Sequence, residues 1–397
     1  MDSSAVVVLN AVSLAVIGFS SHVLVLRSLN RQVYLPLAFC LLAIGVVICQ
    51  PVVSSLFPQA RKFQLVFSLP ALLLIAPTLW LYVQGLTSES RWRWSRSAVM
   101  PLIPAILGSV IALIAMLLPD NIQHGLLVEG SDGVLSELPA LWRNTLYAIL
   151  ITTFILVLSW VVQSGYYLVR IFIRLNRYRA RLKDVFASTG SRELHWLSGL
   201  IVVIGVVWAL VALNVVMDNL LFPTTLNGVA IQTIVLVMVW SIGLWGLRQK
   251  PGFEALYADS QAHETIEAAE KSAPEKYQRS ALDTDSAQRI ANKMQQAVEQ
   301  DKLFLDPALS LQKLARHIHV SPNYISQTLN ETLGMNFFDY INQHRVEAAK
   351  ERLCSSGDTI LDIALAVGFN AKSSFYAAFK KHTQLTPSAY RKQHRSQ

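Results

Sequence analysis

The chain has 397 residues, of which 53% are hydrophobic and 15% charged, and its mean hydropathy is +0.39. Soluble globular proteins carry about 25% charged residues, so a single water-soluble globule is excluded as a description of the whole chain. The formal net charge of +8 suits two kinds of partner, anionic lipid headgroups and nucleic acid.

The average hides a division. Up to Lys250 the chain is strongly apolar, and from Pro251 it is polar and charged. About 20 apolar helical residues cross the hydrocarbon core of a bilayer. Seven stretches reach that length: 5–26, 34–57, 63–86, 97–119, 144–173, 195–222 and 226–247. They predict a seven-helix transmembrane bundle. The fifth and sixth are long enough to tilt or to extend past the membrane. Pro51, Pro70, Pro77 and Pro104 fall within spans, where packed membrane helices tolerate kinks. The first span reads as a retained helix: its leader carries Asp2 and no Lys or Arg, and Arg27 and Arg31 follow it.

Lys and Arg in short loops set orientation. Arg27 and Arg31 follow the first span, Arg91, Arg93 and Arg96 the third, and Arg248 and Lys250 the seventh. The loop after the fifth holds Arg174, Arg177, Arg179, Arg181, Lys183 and Arg192. The stretch 120–141 has Glu129, Asp132 and Glu137 and no Lys or Arg; Arg61 and Lys62 break the pattern. The reading is N-terminus outside and C-terminus in the cytoplasm, at a bacterial inner membrane. The basic loop after the fifth span reads as a topology signal lying on anionic lipid.

Candidate sensing residues sit near the outer end of the sixth span. Asn214 and Asp218 lie one turn apart on one face, with Asn219 beside them, and an ionisable residue at membrane depth is a functional candidate. The plainer reading is that Asp218 ends its helix at the water interface. The outer stretch with His124, Glu129 and Asp132 suits a cation or basic peptide, or is simply a solvated loop. His22, Gln50, Gln84, Gln163 and Gln232 read as interhelical hydrogen-bonding groups.

A linker over 251–282, rich in Ala, Glu, Gln and Ser, leads into a helical region. As coil it spans on the order of 30 Å. Ser310 precedes a short helix with Leu311, Leu314, Ala315 and Ile318 on one face, and His319 and Val320 make a turn. Ser321 and Pro322 then start a second helix as N-cap and first helical residue. Its inner face is Ile325, Leu329 and Leu333; its outer face is Asn323, Ser326, Gln327 and Asn330. This is a helix-turn-helix whose second helix is free to enter a major groove. A connecting helix over about 337–354 follows, with Phe338, Ile341, Arg345, Ala348 and Leu353 on its amphipathic face. The pattern then repeats. Thr359 caps a helix with Ile360, Ile363, Ala364 and Val367, and Gly368 turns the chain. In the next helix Phe375 and Phe379 face the core, and Lys372, Ser373, Tyr376 and Lys380 lie on other faces. Thr386 and Pro387 begin a last helix. From Thr359 onward six Lys and Arg face a single acidic residue, Asp362, an environment suited to phosphate.

The segments LSLQKLARHIHVSPNYISQTLNETLG, FFDYINQHRVEAAKERL and ILDIALAVGFNAKSSFYAAFKKHTQLTPSAYRK resemble, in order and spacing, the DNA-binding module of the AraC/XylS family of bacterial transcription regulators. The resemblance covers residues 283–397. It implies two helix-turn-helix units on a rigid helix, reading successive major grooves, and promoter DNA and RNA polymerase as partners. Many members carry Arg where this chain has Gln327 and Ala377. Gln still reads adenine, but Ala donates no hydrogen bond, which puts the sequence reading of the second unit in doubt.

The expected fold is therefore all-α: a seven-span sensor domain over 1–250, a linker over 251–282 and a double helix-turn-helix domain over 283–397. The expected function is a membrane-embedded one-component regulator, with the bilayer, a second copy of the chain and a signal ligand as further partners. No Walker loop, HExxH or nucleophile elbow is present, and the three cysteines show no zinc or disulfide pattern, so neither an enzyme nor a metal or cofactor is expected. A membrane transporter with a regulatory DNA-binding tail is the alternative.

Overall fold

A computed structural model of the chain describes residues 2–27, 30–95, 98–118, 140–190, 192–206, 228–253 and 283–395. Among the described residues every regular element is helical, and one isolated backbone bridge pairs Phe186 with Ser310. The chain divides into two compact units: residues 1–175 with 194–254, and residues 176–193 with 255–397.

The first unit contains α1 (Asp2–Leu26), α2 (Arg31–Ile48), α3 (Gln50–Leu56), α4 (Arg61–Leu86), α5 (Ile103–Met116), most of α6 (Ala140–Val185), α7 (His195–Val206) and α8 (Gly228–Arg248). Five described helices are long and apolar enough to cross a membrane, those within 4–26, 31–48, 58–86, 143–185 and 228–248. The fourth expected span is a shorter apolar helix, and the sixth is described only as far as Val206. The count of seven is therefore not borne out as such; five long helices are.

Several boundaries differ from the sequence reading for local reasons. Pro51 and Pro104 occupy the first turns of α3 and α5, where a missing N–H costs nothing; they start helices rather than kink them. Pro70 and Pro77 do lie inside α4, and Pro36 lies inside α2. The fifth apolar stretch does not end at Ile173. Helix α6 continues through the arginines to Val185, and from Asn176 it belongs to the second unit.

Small residues allow close crossings in the first unit. A Cβ on Gly243 would come within 2.5 Å of Ser20 Oγ, so α8 packs backbone-close against α1, as small residues permit between membrane helices. Polar side chains find interhelical partners. Asn10 Nδ2 donates to the Ile48 carbonyl at 2.7 Å and Gln163 Nε2 to the Pro101 carbonyl at 3.2 Å. At one end of the bundle Arg27 donates to the Leu247 carbonyl at 3.0 Å and sits 4.1 Å from the Tyr34 ring centroid, while Tyr34 donates to the Gln249 carbonyl at 2.8 Å.

The second unit contains α9 (Thr284–Glu299), α10 (Leu311–Ile318), α11 (Pro322–Gln327), α12 (Phe337–Ser355), α13 (Ile360–Ala366), α14 (Lys372–Thr383) and α15 (Pro387–Arg395). Side-chain caps start them where local sequence demands. Asp283 accepts from Ser286 N at 2.7 Å, Ser310 from Lys313 N at 3.3 Å, Asn336 from Asp339 N at 2.8 Å and Thr359 from Asp362 N at 3.2 Å. Two cores form. One is mostly aliphatic, around Met294, Leu314, Ile325, Leu329 and Ile341. The other surrounds Phe369, Phe375 and Phe379 with Val346, Leu353, Ile363 and Val367, and Tyr390 packs against it.

Candidate nucleic-acid interface

In the first helix-turn-helix, α10 ends at His319, which adopts the left-handed conformation (φ 53°), and Ser321 Oγ caps α11 by accepting from Asn323 N at 3.3 Å. Ile325 and Leu329 go into the core, leaving Asn323 exposed and Ser326 and Gln327 half-buried at the outer side. Gln327 Nε2 donates to Glu331 at 2.9 Å. This holds the amide in place but engages a group that a base edge would need. Helix α11 is shorter than the sequence suggests. From Thr328 to Thr332 the backbone winds into a wider π-turn, so Asn330 projects from a rotated turn and not from the α-helical face. It stays exposed, with Nδ2 3.4 Å from Ser326 Oγ.

In the second unit Gly368 makes the turn at φ 92°. Lys372, Ser373 and Lys380 of α14 are exposed, as is Ala377. Tyr376 is only half-exposed. Its ring meets Phe375 edge-on at 6.3 Å, its hydroxyl lies 3.2 Å from Ser388 Oγ, and Lys372 Nζ is 5.5 Å from its centroid. Tyr376 thus belongs as much to the packing of α15 as to an outer face.

The residue that sequence reasoning undervalued is Arg345. It is fully buried, and its guanidinium donates to the Phe304 carbonyl at 2.7 Å, the Asp306 carbonyl at 2.8 Å and Asn342 Oδ1 at 3.3 Å. It also lies 5.5 Å from the Phe369 ring centroid. One side chain on α12 thereby joins the 303–309 loop beside the first helix-turn-helix to the turn of the second helix-turn-helix. Burial pushes Arg345 down to about 10, with Asp306 opposing the shift, so it remains charged at neutral pH. Burial by itself would raise the Asp306 carboxyl, but Lys313, the Ala308 N–H and Arg345 together hold it below its ordinary value. Two further contacts brace the joint. Asn370 Nδ2 donates to the Pro307 carbonyl at 3.4 Å, and Lys381 pairs with Asp339 at 2.7 Å. An inner-face arginine with the right helical period was the available signal; its carbonyl partners were not legible.

The candidate sensing residues Asn214, Asp218 and Asn219 lie outside the described residues, as do His124, Glu129, Asp132 and the linker from 254 to 282. Among the described residues no three His, Cys, Asp or Glu side chains gather to hold a metal ion.

Residues 314–393 match the family described as "Helix-turn-helix domain". The regulatory protein PocR of Salmonella typhimurium is 35% identical over 102 residues, 26% of this chain and 34% of PocR. An uncharacterised HTH-type transcriptional regulator of Staphylococcus aureus (strain COL) is 37% identical over 108 residues, 27% of this chain and 14% of that protein. Among solved structures, the C-terminal domain of the two-component response regulator yesN from Fusobacterium nucleatum is 30% identical, covering 27% of this chain and 99% of that one, with a TM-score of 0.23. The chain thus spans about a third or less of the length of these curated relatives. Its C-terminal part is an AraC-type helix-turn-helix domain.

Proposed function

We propose that this chain is a membrane-embedded one-component transcriptional regulator. Residues 1–250 form a transmembrane sensor domain of seven spans, 251–282 a cytoplasmic linker and 283–397 a domain that binds promoter DNA. The N-terminus faces outward and the C-terminus lies in the cytoplasm. Asn323, Ser326, Gln327 and Asn330 read base edges; Lys372, Ser373, Tyr376 and Lys380 hold the backbone of the next groove. A signal from outside or within the bilayer acts through the spans, with Asn214, Asp218 and Asn219 as the sensing candidates.

The observation that carries this reading is the union, in one chain, of a helix-turn-helix domain with helices whose outer faces suit lipid. Phe154, Leu158, Val162 and Val169 of α6 are all exposed, a run of large apolar side chains that water penalises and hydrocarbon accepts. Chromatin pull-down of the intact protein, followed by sequencing, should enrich discrete promoter regions; uniform recovery of the genome would overturn DNA-specific action. Reporters fused after Lys250 and within 174–192 should report cytoplasm, and one near Glu129 the outside. A cytoplasmic signal at Glu129 would remove outward sensing. Solute transport by vesicles of a chain lacking 283–397 would point instead to a transporter with a regulatory tail.

A further inference from the structure

Helix α6 ends at Val185, and the next five residues enter the second unit as part of its fabric. Phe186 forms an antiparallel bridge with Ser310, and Ala187 N donates to the Leu309 carbonyl at 3.2 Å. The Ala187 carbonyl accepts from Arg345 at 3.2 Å and from Asn342 Nδ2 at 3.4 Å, and Ser188 Oγ accepts from Arg345 at 3.1 Å. Gly190 reaches the second helix-turn-helix: a Cβ there would lie 3.6 Å from Ser374 Oγ. Phe186 and Ala187 are 2% and 1% exposed, and Thr189 is also buried. The chain then folds back on the helix end. Arg192 lies 3.9 Å from the Phe186 ring centroid, and Tyr178 donates to the Arg192 carbonyl at 2.9 Å.

We propose that residues 186–190 are a strap through which helix α6 sets the relative position of the two helix-turn-helix units. Three features support this. The contacts fall on both sides of the joint: Leu309 and Ser310 beside the first helix-turn-helix, Ser374 in the second, and Asn342 and Arg345 between them. Arg345 binds the strap with the same guanidinium that binds the 303–309 loop, so the strap and the joint share one set of hydrogen bonds. No slack separates helix from strap, because Phe186 N still donates to the Leu182 carbonyl at 2.9 Å. A displacement of α6 therefore arrives within one or two residues of the joint. The strap leaves Asn323, Asn330, Lys372 and Lys380 exposed, so it acts on the spacing of the two faces and does not cover them. Two helix-turn-helix units must fit one duplex in register, which makes their spacing a point of control. A signal works through it by favouring one of two strap positions.

This inference rests on the regulator reading above, and its test separates the two. The full-length protein in native membrane vesicles, carrying Cys354→Ser, receives the pair Gly190→Cys and Ser374→Cys, chosen because a Cβ at 190 would lie 3.6 Å from the Ser374 Oγ. The pair Ser20→Cys and Gly243→Cys, where a Cβ on Gly243 would lie 3.3 Å from the Ser20 Cβ, serves as an oxidation control away from the joint. Retention is measured for duplexes that the unmodified protein selects from a random-sequence pool. The expected result is that oxidation links 190 to 374 and changes duplex retention at least about tenfold relative to the reduced form. A linked 20–243 control with no 190–374 link, or a 190–374 link without effect on retention, overturns the strap. Failure of the unmodified protein to select any duplex overturns the regulator reading and the strap's role with it, even where the link forms.

Discussion

The outer side of α11 in the first helix-turn-helix carries amides and hydroxyls and no Lys or Arg, whereas α14 in the second carries Lys372 and Lys380. The turns differ as well. His319 is a non-glycine residue at φ 53°, while the corresponding turn uses Gly368 at φ 92°. The reason lies in the neighbours. A Cβ on Gly368 would sit 2.5 Å from the Phe304 carbonyl oxygen and 2.9 Å from that of Leu305, so the second turn is pressed against the 303–309 loop. His319 is exposed and tolerates its side chain. The second core also sets three neighbouring phenylalanines, Phe369, Phe375 and Phe379, among its aliphatic residues. In the function proposed above, one helical plan serves two tasks: the polar, uncharged face is assigned to bases and the basic face to phosphate, which carries affinity without sequence information.

The largest expected effect lies at the joint that both helix-turn-helix units share. Arg345→Met should destabilise the second unit by about 3–5 kcal/mol, because buried carbonyls lose a charged donor. Phe379→Ala should cost a similar ~3–5 kcal/mol by opening a cavity, but with protection lost first around α14. Hydrogen exchange of the intact protein in detergent distinguishes them. Arg345→Met should release α12 and the 303–309 loop together, and retention of protection in that loop would refute the joint.

Gly368→Ala should cost about 1–3 kcal/mol from the positive φ and the clash with the Phe304 carbonyl. The same exchange measurement should show no more than a few tenths of a kcal/mol for His319→Gly, since an exposed left-handed residue gains little from losing its side chain. Equal effects at the two turns would erase the contrast drawn between them.

For DNA, Gln327→Ala should weaken binding at one base position by about 1–3 kcal/mol and relax discrimination there. Lys380→Ala should weaken all sequences alike and lower the salt slope by about one. Competition binding against single-base variants of a selected site, at several salt concentrations, reads both. Unchanged base preference in Gln327→Ala would mean that its bond to Glu331 keeps it out of the groove.

The smallest effect is a pH dependence. His344 on α12 is held below its ordinary pKa, chiefly by burial, against the opposing pull of Glu299 and Glu347. The unfolded chain therefore takes up the proton first on acidification. The stability contributed by the neutral ring is present above about pH 6.5 and declines as pH falls through that value toward the depressed folded pKa. His344→Gln should flatten the fall in α12 exchange protection between neutral and mildly acidic pH. An unaltered slope would assign the fall to other groups, His382 among them, whose pKa is also lowered by burial.

What the amino-acid sequence determined by itself acts over short range. Ser310, Ser321 with Pro322, Thr359 and Pro387 start the helices expected of them, because a cap needs only the next two or three residues. The apolar stretches give long helices for the same reason: length and composition are local. Gly368 is legible as a turn, though not the carbonyls that require it. What only the tertiary structure decided is non-local. The stretch 174–192 reads as a basic loop on lipid. Instead, α6 runs on to Val185, and Ala187 accepts hydrogen bonds from residues 155 and 158 positions away. The π-turn after Gln327, which re-aims Asn330, follows no local rule either. Arg345 has the period of an inner-face residue, but its worth comes from four chain segments meeting at one guanidinium. Periodicity marks which side of a helix is covered; only packing supplies the carbonyls and side chains that cover it.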